Sequence, residues 1–541
     1  MDNQPAAHAS PSPPARRWPW LVVLAIQLLV GFIRVRLLDV PLERDEGEYA
    51  YAGQLILQGI PPYELAYNMK LPGTYFAYAL GMAVFGQTPA GIHLLLLVIN
   101  FSTIVFVFLL GRDMFGVTTG LAAGATYGLM STSPGVLGLA AHATQFVVLF
   151  AVPGTLLLWR AVQSGRRGPV FFSGLLYGLA FVMKQQGVVF GVFGVLVLLW
   201  RESRQKAGVK HCLQQICLLL AGAALPFLMV CLYLALAGDF PKFWFWTFSY
   251  ARAYAADVPA SNGIRFLLDY FHSNFSFFAG FWILAAAGLV VALRHPAGQK
   301  RMIFAVGFFF LSFLGTVPGF YFRPHYFVLV LPAFALIVGL AVQLLQTIPV
   351  RGMKILPGVL FMGLLAWNLW LQRWLFFQLS PPNLCQAVYP NNPFLESVAV
   401  GNYIREHSHP DARVAVIGSE PQIYFYAQRH SATGYIYTYP LMEKQPYAVT
   451  MQRQMISEIE AAKPEYMVVV VYDYSWLVKH YSNPEIFQWM QAYTAKNYDR
   501  VGLVERRPGA AGIELWGDAA KNYHGNLEQY LDVYQRRPDA R

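Results

Sequence analysis

Charged residues are scarce in this chain. Of its 541 residues, 13% are charged and 56% are apolar, whereas soluble domains average about 25% charged residues. The apolar residues fall in long runs, many of them close to the ~20 residues that a helix needs to cross a bilayer. This composition excludes an ordinary soluble domain and predicts a polytopic α-helical membrane protein. The formal net charge of +11 is then explained by basic loops between the spans and does not indicate a nucleic-acid partner.

Cysteine is rare as well, with four residues in the chain. Cys212, Cys217 and Cys231 lie in or beside one apolar run, and Cys385 stands alone further on. Because no CxxC spacing occurs, we predict neither a zinc site of that kind nor a disulfide framework. The Gly-x-Gly-x-x-Gly pattern of dinucleotide-binding folds is also missing, so a nucleotide site is not supported.

About eleven apolar runs predict transmembrane helices, and the basic residues between them predict the orientation. With the N-terminal tail (residues 1–19) in the cytoplasm, the loops that carry Arg112, Arg166 and Arg351 face the cytoplasm, as the positive-inside rule requires. An odd number of spans then places residues 377–541 on the extracytoplasmic side, as expected for a multi-pass inner (plasma) membrane protein with a periplasmic or extracellular C-terminal domain. The predicted spans lie near residues 20–38, 88–110, 116–131, 142–160, 170–184, 187–200, 212–237, 273–294, 302–317, 326–347 and 354–376, which form a transmembrane domain over 20–376 with a first outer loop at 39–87.

The last 165 residues change character and predict a small α/β domain over 377–541. Continuous apolar strands that alternate with helices are typical of such domains. We expect this domain to be structural or to guide the acceptor, and not to be catalytic. The predicted helices are 394–407 and 447–462, and the predicted strands are 412–417, 466–471, 501–504 and 513–516.

The first outer loop contains a dense acidic cluster. Residues 43–49 read Glu-Arg-Asp-Glu-Gly-Glu-Tyr and so place four carboxylates in seven residues. On a helix that begins near residue 45, Arg44 and Glu48 share a face and predict a surface ion pair. Asp45 and Glu46 have no such partner in the sequence, which makes them candidates for accepting a proton from a substrate hydroxyl or for holding a cation.

Three basic residues on the outer side are candidate phosphate ligands. Lys70 lies in a turn bounded by proline and glycine, Lys184 lies in a polar notch between two apolar runs, and Arg323 offers a planar fork suited to phosphate. The alternative for the lysines is an interfacial or snorkelling role. His142 and His325 face the same side, and a lone histidine among aromatics is more often structural.

Taken together, these residues resemble the GT-C superfamily of integral-membrane glycosyltransferases. The branch in question contains the dolichyl-phosphate-mannose protein mannosyltransferases and the transferase that adds aminoarabinose to lipid A. The resemblance covers almost the whole chain. It rests on the Asp45-Glu46 pair with Tyr49, the turn from Gly59 to Tyr63, the Lys70-Leu71-Pro72 element before Phe85-Gly86, the run from Gly178 to Gln185 and the run from Arg323 to Pro332.

The resemblance implies transfer of a hexose or pentose from a polyprenyl-phosphate-linked donor to an acceptor hydroxyl on the outer face, with inversion at the anomeric carbon. Asp45, with Glu46, would be catalytic, and the acceptor would be a lipid, a glycan or a protein. No cofactor is certain, and a divalent metal stays open. The alternatives are a transporter or lipid flippase, a glycan polymerase or ligase, and a non-catalytic glycan-assembly subunit. The remaining implied residues are Lys70, Arg323 and Lys184 for the donor phosphate and Tyr49, Tyr63, His142 and His325 for substrate contact.

Overall fold

The computed structural model describes residues 17–205, 208–293, 299–505 and 512–540. Most of the predicted cytoplasmic tail, residues 1–16, lies outside the described residues. The first part of the chain is helical. Its helices are α1 (Trp18–Arg36), α2 (Arg44–Leu57), α3 (Gly73–Phe85), α4 (Pro89–Met114), α5 (Val117–Met130), α6 (Ala143–Ser164), α7 (Gly168–Met183), α8 (Val188–Gln205), α9 (Val209–Ala237), α10 (Phe240–Trp244), α11 (Ala251–Ala255), α12 (Ala260–Leu293), α13 (Gln299–Leu314), α14 (Leu331–Leu345) and α15 (Leu356–Leu371).

Each predicted span coincides with one of these helices, namely α1, α4 to α9 and α12 to α15. Within the described ranges, five helical segments are long and apolar enough to cross a bilayer alone, and a bent pair inside α12 would make a sixth. Several of the others are apolar helices of 10–17 residues, which need tilt or burial among their neighbours. The chain is thus a multi-pass helical membrane protein, and the number eleven stays a prediction.

The first outer loop folds into two helices. At the start of α2, Glu43 accepts a hydrogen bond from the backbone N–H of Glu46 at 2.9 Å, while the Glu46 carboxylate accepts one from the N–H of Glu43 at 3.4 Å. This reciprocal capping box satisfies backbone donors that a helix start leaves unpaired. The helix therefore begins at Arg44, which fixes the direction of every carboxylate in the acidic cluster. The short helix α3, at 13 residues, was not expected from the sequence.

The C-terminal part is the α/β domain expected from the sequence. Its six strands are ordered β2-β1-β3-β6-β4-β5, with β1 parallel to both β2 and β3 and with β6 antiparallel to both β3 and β4. Strands β2 and β6 were missed. The elements are α16 (Pro381–Val388), α17 (Phe394–His407), β1 (Arg413–Ile417), α18 (Gln422–Ala427), β2 (His430–Ser431), α19 (Tyr439–Met442), α20 (Ala448–Ala462), β3 (Tyr466–Val471), α21 (Asp473–Trp476), α22 (Glu485–Asn497), β4 (Tyr498–Glu505), β5 (Ile513–Trp516), α23 (Asp518–Lys521) and β6 (Tyr530–Arg536).

The C-terminal domain packs directly on α2. A Cβ atom at Gly47 would lie 2.6 Å from the backbone nitrogen of Gln422, the first residue of α18, so only glycine permits this approach. The Arg44 guanidinium forms a 2.5 Å ion pair with Glu420 of the domain. The predicted surface pair between Arg44 and Glu48 is therefore wrong, because Arg44 points to the domain and Glu48 points into the protein.

Candidate active site

A cavity of about 400 Å³ lies between the helical bundle and the C-terminal domain. The bundle provides most of its charged side chains, and the C-terminal domain provides an aromatic wall. Glu43 and Asp45 of the acidic cluster thus meet two of the three predicted phosphate ligands, Lys70 and Arg323, at one site. Its lining residues include Glu43, Arg44, Asp45, Lys70, His142, Trp246, Tyr250, Tyr254, Arg323, His325 and Tyr326 on the bundle side and Tyr437, Tyr439, Glu443 and Tyr474 on the domain side.

Asp45 and Lys70 are directly paired in the wall of this cavity. The Lys70 ammonium donates to Oδ1 of Asp45 at 2.8 Å and to Oε2 of Glu48 at 2.5 Å. Glu48 is fully buried, whereas the side chains of Lys70 and Asp45 are 16% and 22% exposed. An ammonium group has three N–H donors, so one donor of Lys70 remains for a ligand.

The electrostatics of this triad keep Asp45 and Lys70 charged. Burial alone would raise the pKa of Asp45, but the Lys70 charge holds it well below its ordinary value. Burial alone would lower the pKa of Lys70, but the charges of Asp45 and Glu48 hold it well above its ordinary value. Burial raises the pKa of Glu48 in spite of Lys70. Asp45 is therefore ionised at neutral pH and can accept a proton.

Two histidines face the second oxygen of Asp45. Oδ2 lies 3.7 Å from Nδ1 of His142 and 4.0 Å from Nε2 of His325, and the two rings stack with centroids 4.2 Å apart. Neither ring nitrogen of the buried His142 has a hydrogen-bond partner among the described residues. The three side chains each offer one ligand atom within 4.8 Å of the others. A set of two imidazole nitrogens and a carboxylate oxygen suits Zn²⁺ or a similar divalent ion, so these residues could hold a metal.

Glu46, which was predicted to be catalytic together with Asp45, does not line the cavity. Its carboxylate accepts a hydrogen bond from the backbone N–H of Ala141 at 2.6 Å and lies 3.3 Å from Nε2 of His93. The residue is 2% exposed and lies behind the cavity wall. Glu46 instead fixes the segment that leads into His142.

The comparisons with known proteins agree with this architecture. Residues 70–234 match the family model described as dolichyl-phosphate-mannose-protein mannosyltransferase. An undecaprenyl phosphate-α-4-amino-4-deoxy-L-arabinose arabinosyl transferase of Pseudomonas aeruginosa is 31% identical over 223 residues. That alignment covers 37% of this chain and 38% of the relative, so the match spans less than half the length of the curated relatives.

Solved structures cover nearly the whole chain. ArnT from Cupriavidus metallidurans, bound to undecaprenyl phosphate, has a TM-score of 0.55 at 14% identity, with 96% of this chain and 98% of that chain covered. The Archaeoglobus fulgidus oligosaccharyltransferase in its apo form has a TM-score of 0.54 at 12% identity, with 93% and 75% covered. The chain therefore shares the fold of these solved structures. The fold extends over the bundle and the C-terminal domain alike.

The other predicted site residues are two cations, Arg323 and Lys184, and two tyrosines, Tyr49 and Tyr63. Arg323 lines the cavity, and no carboxylate of the described residues forms a salt bridge with it. Lys184 does not line the cavity, and its Nζ lies 4.4 Å from the ring centroid of Tyr326, which does. Tyr49 and Tyr63 are buried behind Lys70: the Tyr49 ring centroid is 4.6 Å from its Nζ, and the Tyr63 hydroxyl donates to its backbone carbonyl at 2.7 Å. The two tyrosines therefore support Lys70 and do not line the cavity as predicted substrate contacts would.

The residues that the C-terminal domain adds to the cavity were not predicted from the sequence. Tyr437 donates to Oδ1 of Asp45 at 3.0 Å, and Tyr439 and Tyr474 also line the cavity. Burial raises the pKa of Glu443 to about 7, although it accepts a hydrogen bond from Tyr250 at 2.6 Å. The alternating tyrosines at 435, 437 and 439 were the available signal, since such a run is unusual in a connecting loop.

Proposed function

We propose that this protein is a GT-C glycosyltransferase that transfers a sugar from a polyprenyl-phosphate-linked donor to an acceptor hydroxyl, with inversion at the anomeric carbon. The observation that carries the proposal is the 2.8 Å contact between the Lys70 ammonium and the Asp45 carboxylate in the wall of one cavity. In an in-line displacement the base and the phosphate-binding cation act on opposite faces of one sugar, so both must reach into the same cavity. The lipid carrier bound to the structurally similar ArnT supports a polyprenyl phosphate donor.

The chemistry is a single displacement. Oδ2 of Asp45 accepts the proton of the acceptor hydroxyl, whose oxygen attacks the anomeric carbon opposite the phosphate. The bond between that carbon and the phosphate oxygen breaks, and its electron pair leaves with the phosphate. Charge that grows on the leaving phosphate is stabilised by the third N–H of Lys70 and by Arg323. A lipid phosphate is a weak base, so the step needs no strong general acid.

The site belongs to the extracytoplasmic side in this proposal. On α4, His93 contacts Glu46 beneath the cavity, and Arg112 lies near the other end of the same helix. At 1.5 Å per residue the two are about 28 Å apart, close to the ~30 Å of the hydrocarbon core. The positive-inside rule assigns the end with Arg112 to the cytoplasm, which puts the cavity and the C-terminal domain outside.

The test is reconstitution of the purified protein in liposomes with polyprenyl-phosphate donors that carry a pentose or a hexose. Lipid, glycan and peptide acceptors are supplied separately, and release of polyprenyl phosphate is followed. We expect acceptor-dependent release by the wild type, with a loss of about 10²–10⁴-fold in Asp45→Asn. Glu64→Gln, an ionisable residue of the same loop outside the cavity lining, is the matched control. Donor that crosses the bilayer without being consumed would instead identify a flippase.

A further inference from the structure

Tyr437 is a residue of the C-terminal domain that contacts the reactive group of the bundle. Its hydroxyl lies 3.0 Å from Oδ1 of Asp45, which is 392 positions earlier in the chain. The side chain is 7% exposed, and its ring centroid lies 5.4 Å from the Lys70 ammonium. The domain thus reaches both members of the central ion pair with one side chain.

The Tyr437 hydroxyl determines which oxygen of Asp45 is free. Oδ1 accepts from both Tyr437 and Lys70, whereas Oδ2 faces the stacked His142 and His325 at 3.7 and 4.0 Å. Two donors on one oxygen fix the rotation of the carboxylate group. Lys70 alone would hold it less firmly, because that ammonium also pairs with Glu48 at 2.5 Å.

The position of Tyr437 is set by a close contact three residues earlier. The backbone carbonyl of Gly434 accepts a hydrogen bond from the backbone N–H of Tyr67 at 2.6 Å. A Cβ atom at Gly434 would collide with the Tyr67 ring. The segment from Gly434 to Tyr437 therefore rests on the first outer loop, and a larger side chain at the point of contact would have to displace that ring.

We propose that Tyr437 is a positioning residue for the base, so that the C-terminal domain completes the active site by docking on the first outer loop. The inference rests on the proposed function, since it assigns Asp45 as the base. It extends that function by making the α/β domain part of the catalytic apparatus, a role that was not expected from the sequence.

The first test compares Tyr437→Phe with Tyr435→Phe in the reconstituted transfer assay. Tyr435 is a buried neighbour whose hydroxyl donates to Gln454 at 2.9 Å, away from Asp45. The strength of a hydrogen bond to a charged group corresponds to roughly 10- to 100-fold. We expect the kcat of Tyr437→Phe to fall about 10-fold or more with the donor KM within 2-fold, and Tyr435→Phe to keep the wild-type kcat. A wild-type kcat in Tyr437→Phe, or an equal fall in the control, would overturn the proposal.

A second variant, Gly434→Ala, alters the docking contact and tests the proposal even if Tyr437→Phe folds poorly. Gly434→Ala should press on the Tyr67 ring, which itself lines the cavity, and so displace the segment and lower kcat by a similar factor. In the double variant the effects should not add, because both act through one hydrogen bond. Additive losses would show that Gly434 and Tyr437 act independently and would refute positioning by docking.

The proposed function and the role of the C-terminal domain would be rejected by different results. If Asp45→Asn retains transfer activity, the proposed function itself is wrong. If Asp45→Asn is inactive while Tyr437→Phe and Gly434→Ala both keep the wild-type kcat, the function stands and the role of the domain is rejected.

Discussion

Replacement of Lys70 by methionine separates the structural role of this lysine from its chemical role. The ammonium neutralises two carboxylates, those of Asp45 and the fully buried Glu48. Removal of one partner from a buried ion pair costs about 3–5 kcal/mol, because a charge is left without compensation. We therefore expect Lys70→Met to lower the free energy of unfolding by about that amount and to abolish transfer.

A second substitution should restore stability without restoring activity. Glu48→Gln removes the uncompensated charge, and the amide oxygen can still accept the hydrogen bond that Tyr75 donates to Glu48 at 2.5 Å. The Lys70→Met/Glu48→Gln double variant should recover most of the lost free energy. Its transfer rate should stay about 10²–10³-fold below wild type, the usual loss when a preorganised oxyanion donor is removed.

Both properties are measurable on the detergent-solubilised protein. Unfolding is followed by denaturant titration or thermal melting, and transfer by release of polyprenyl phosphate, with Glu48→Gln alone as the control for the second site. A double variant as unstable as Lys70→Met would contradict the ion-pair argument. A double variant with restored transfer would refute the assignment of Lys70 to the donor phosphate.

Three further outcomes are expected. Glu46→Gln should lower the free energy of unfolding by about 1–3 kcal/mol, because the carboxylate of Glu46 is buried and hydrogen-bonded. Its kcat should stay within about 3-fold of wild type. A loss of kcat as large as that of Asp45→Asn would contradict a structural role for Glu46. Glu443 has a folded-state pKa of about 7 against an ordinary value of 4.5, so its protonated form stabilises the fold below pH 4.5 and this stabilisation is lost as pH rises through 7. Glu443→Gln should therefore have a higher free energy of unfolding than wild type at pH 8 but not at pH 4.5. If the difference between the two proteins does not change with pH, the raised pKa of Glu443 is refuted. In intact cells, a membrane-impermeant maleimide should label His409→Cys in the exposed part of the C-terminal domain but not Arg166→Cys in the loop before α7; the reverse pattern would invert the topology.

The sequence was sufficient to predict the elements whose signals are local. Helix starts, apolar runs and buried strands such as β1 and β3 depend on neighbouring residues, and most of their predicted bounds agree with the structure to within about five residues; the exception is α12, which begins 13 residues before the predicted span. Strand β6 was missed because Asp532, Gln535 and Arg536 interrupt its apolar pattern. Helix α3 was missed because its 13 residues are too few for a predicted span.

The difference between local and long-range signals also explains which site residues could be predicted from the sequence. Asp45 and Lys70 lie 25 positions apart in one loop, so a common pocket could be inferred for them. Consecutive helix residues point about 100° apart, and for that reason Asp45 lines the cavity while Glu46 turns towards Ala141. The contribution of Tyr437 depends on packing between distant parts of the chain, which no local pattern encodes.

The contact between Gly47 and Gln422 bears on how this protein could be recombined with its relatives. A chimaera cut near residue 377 would divide the polypeptide at its most obvious junction, yet it would leave a foreign α18 against a helix shaped for the native one. Grafts that carry α2 together with the C-terminal domain would keep this surface intact. The natural unit of exchange is therefore discontinuous along the chain.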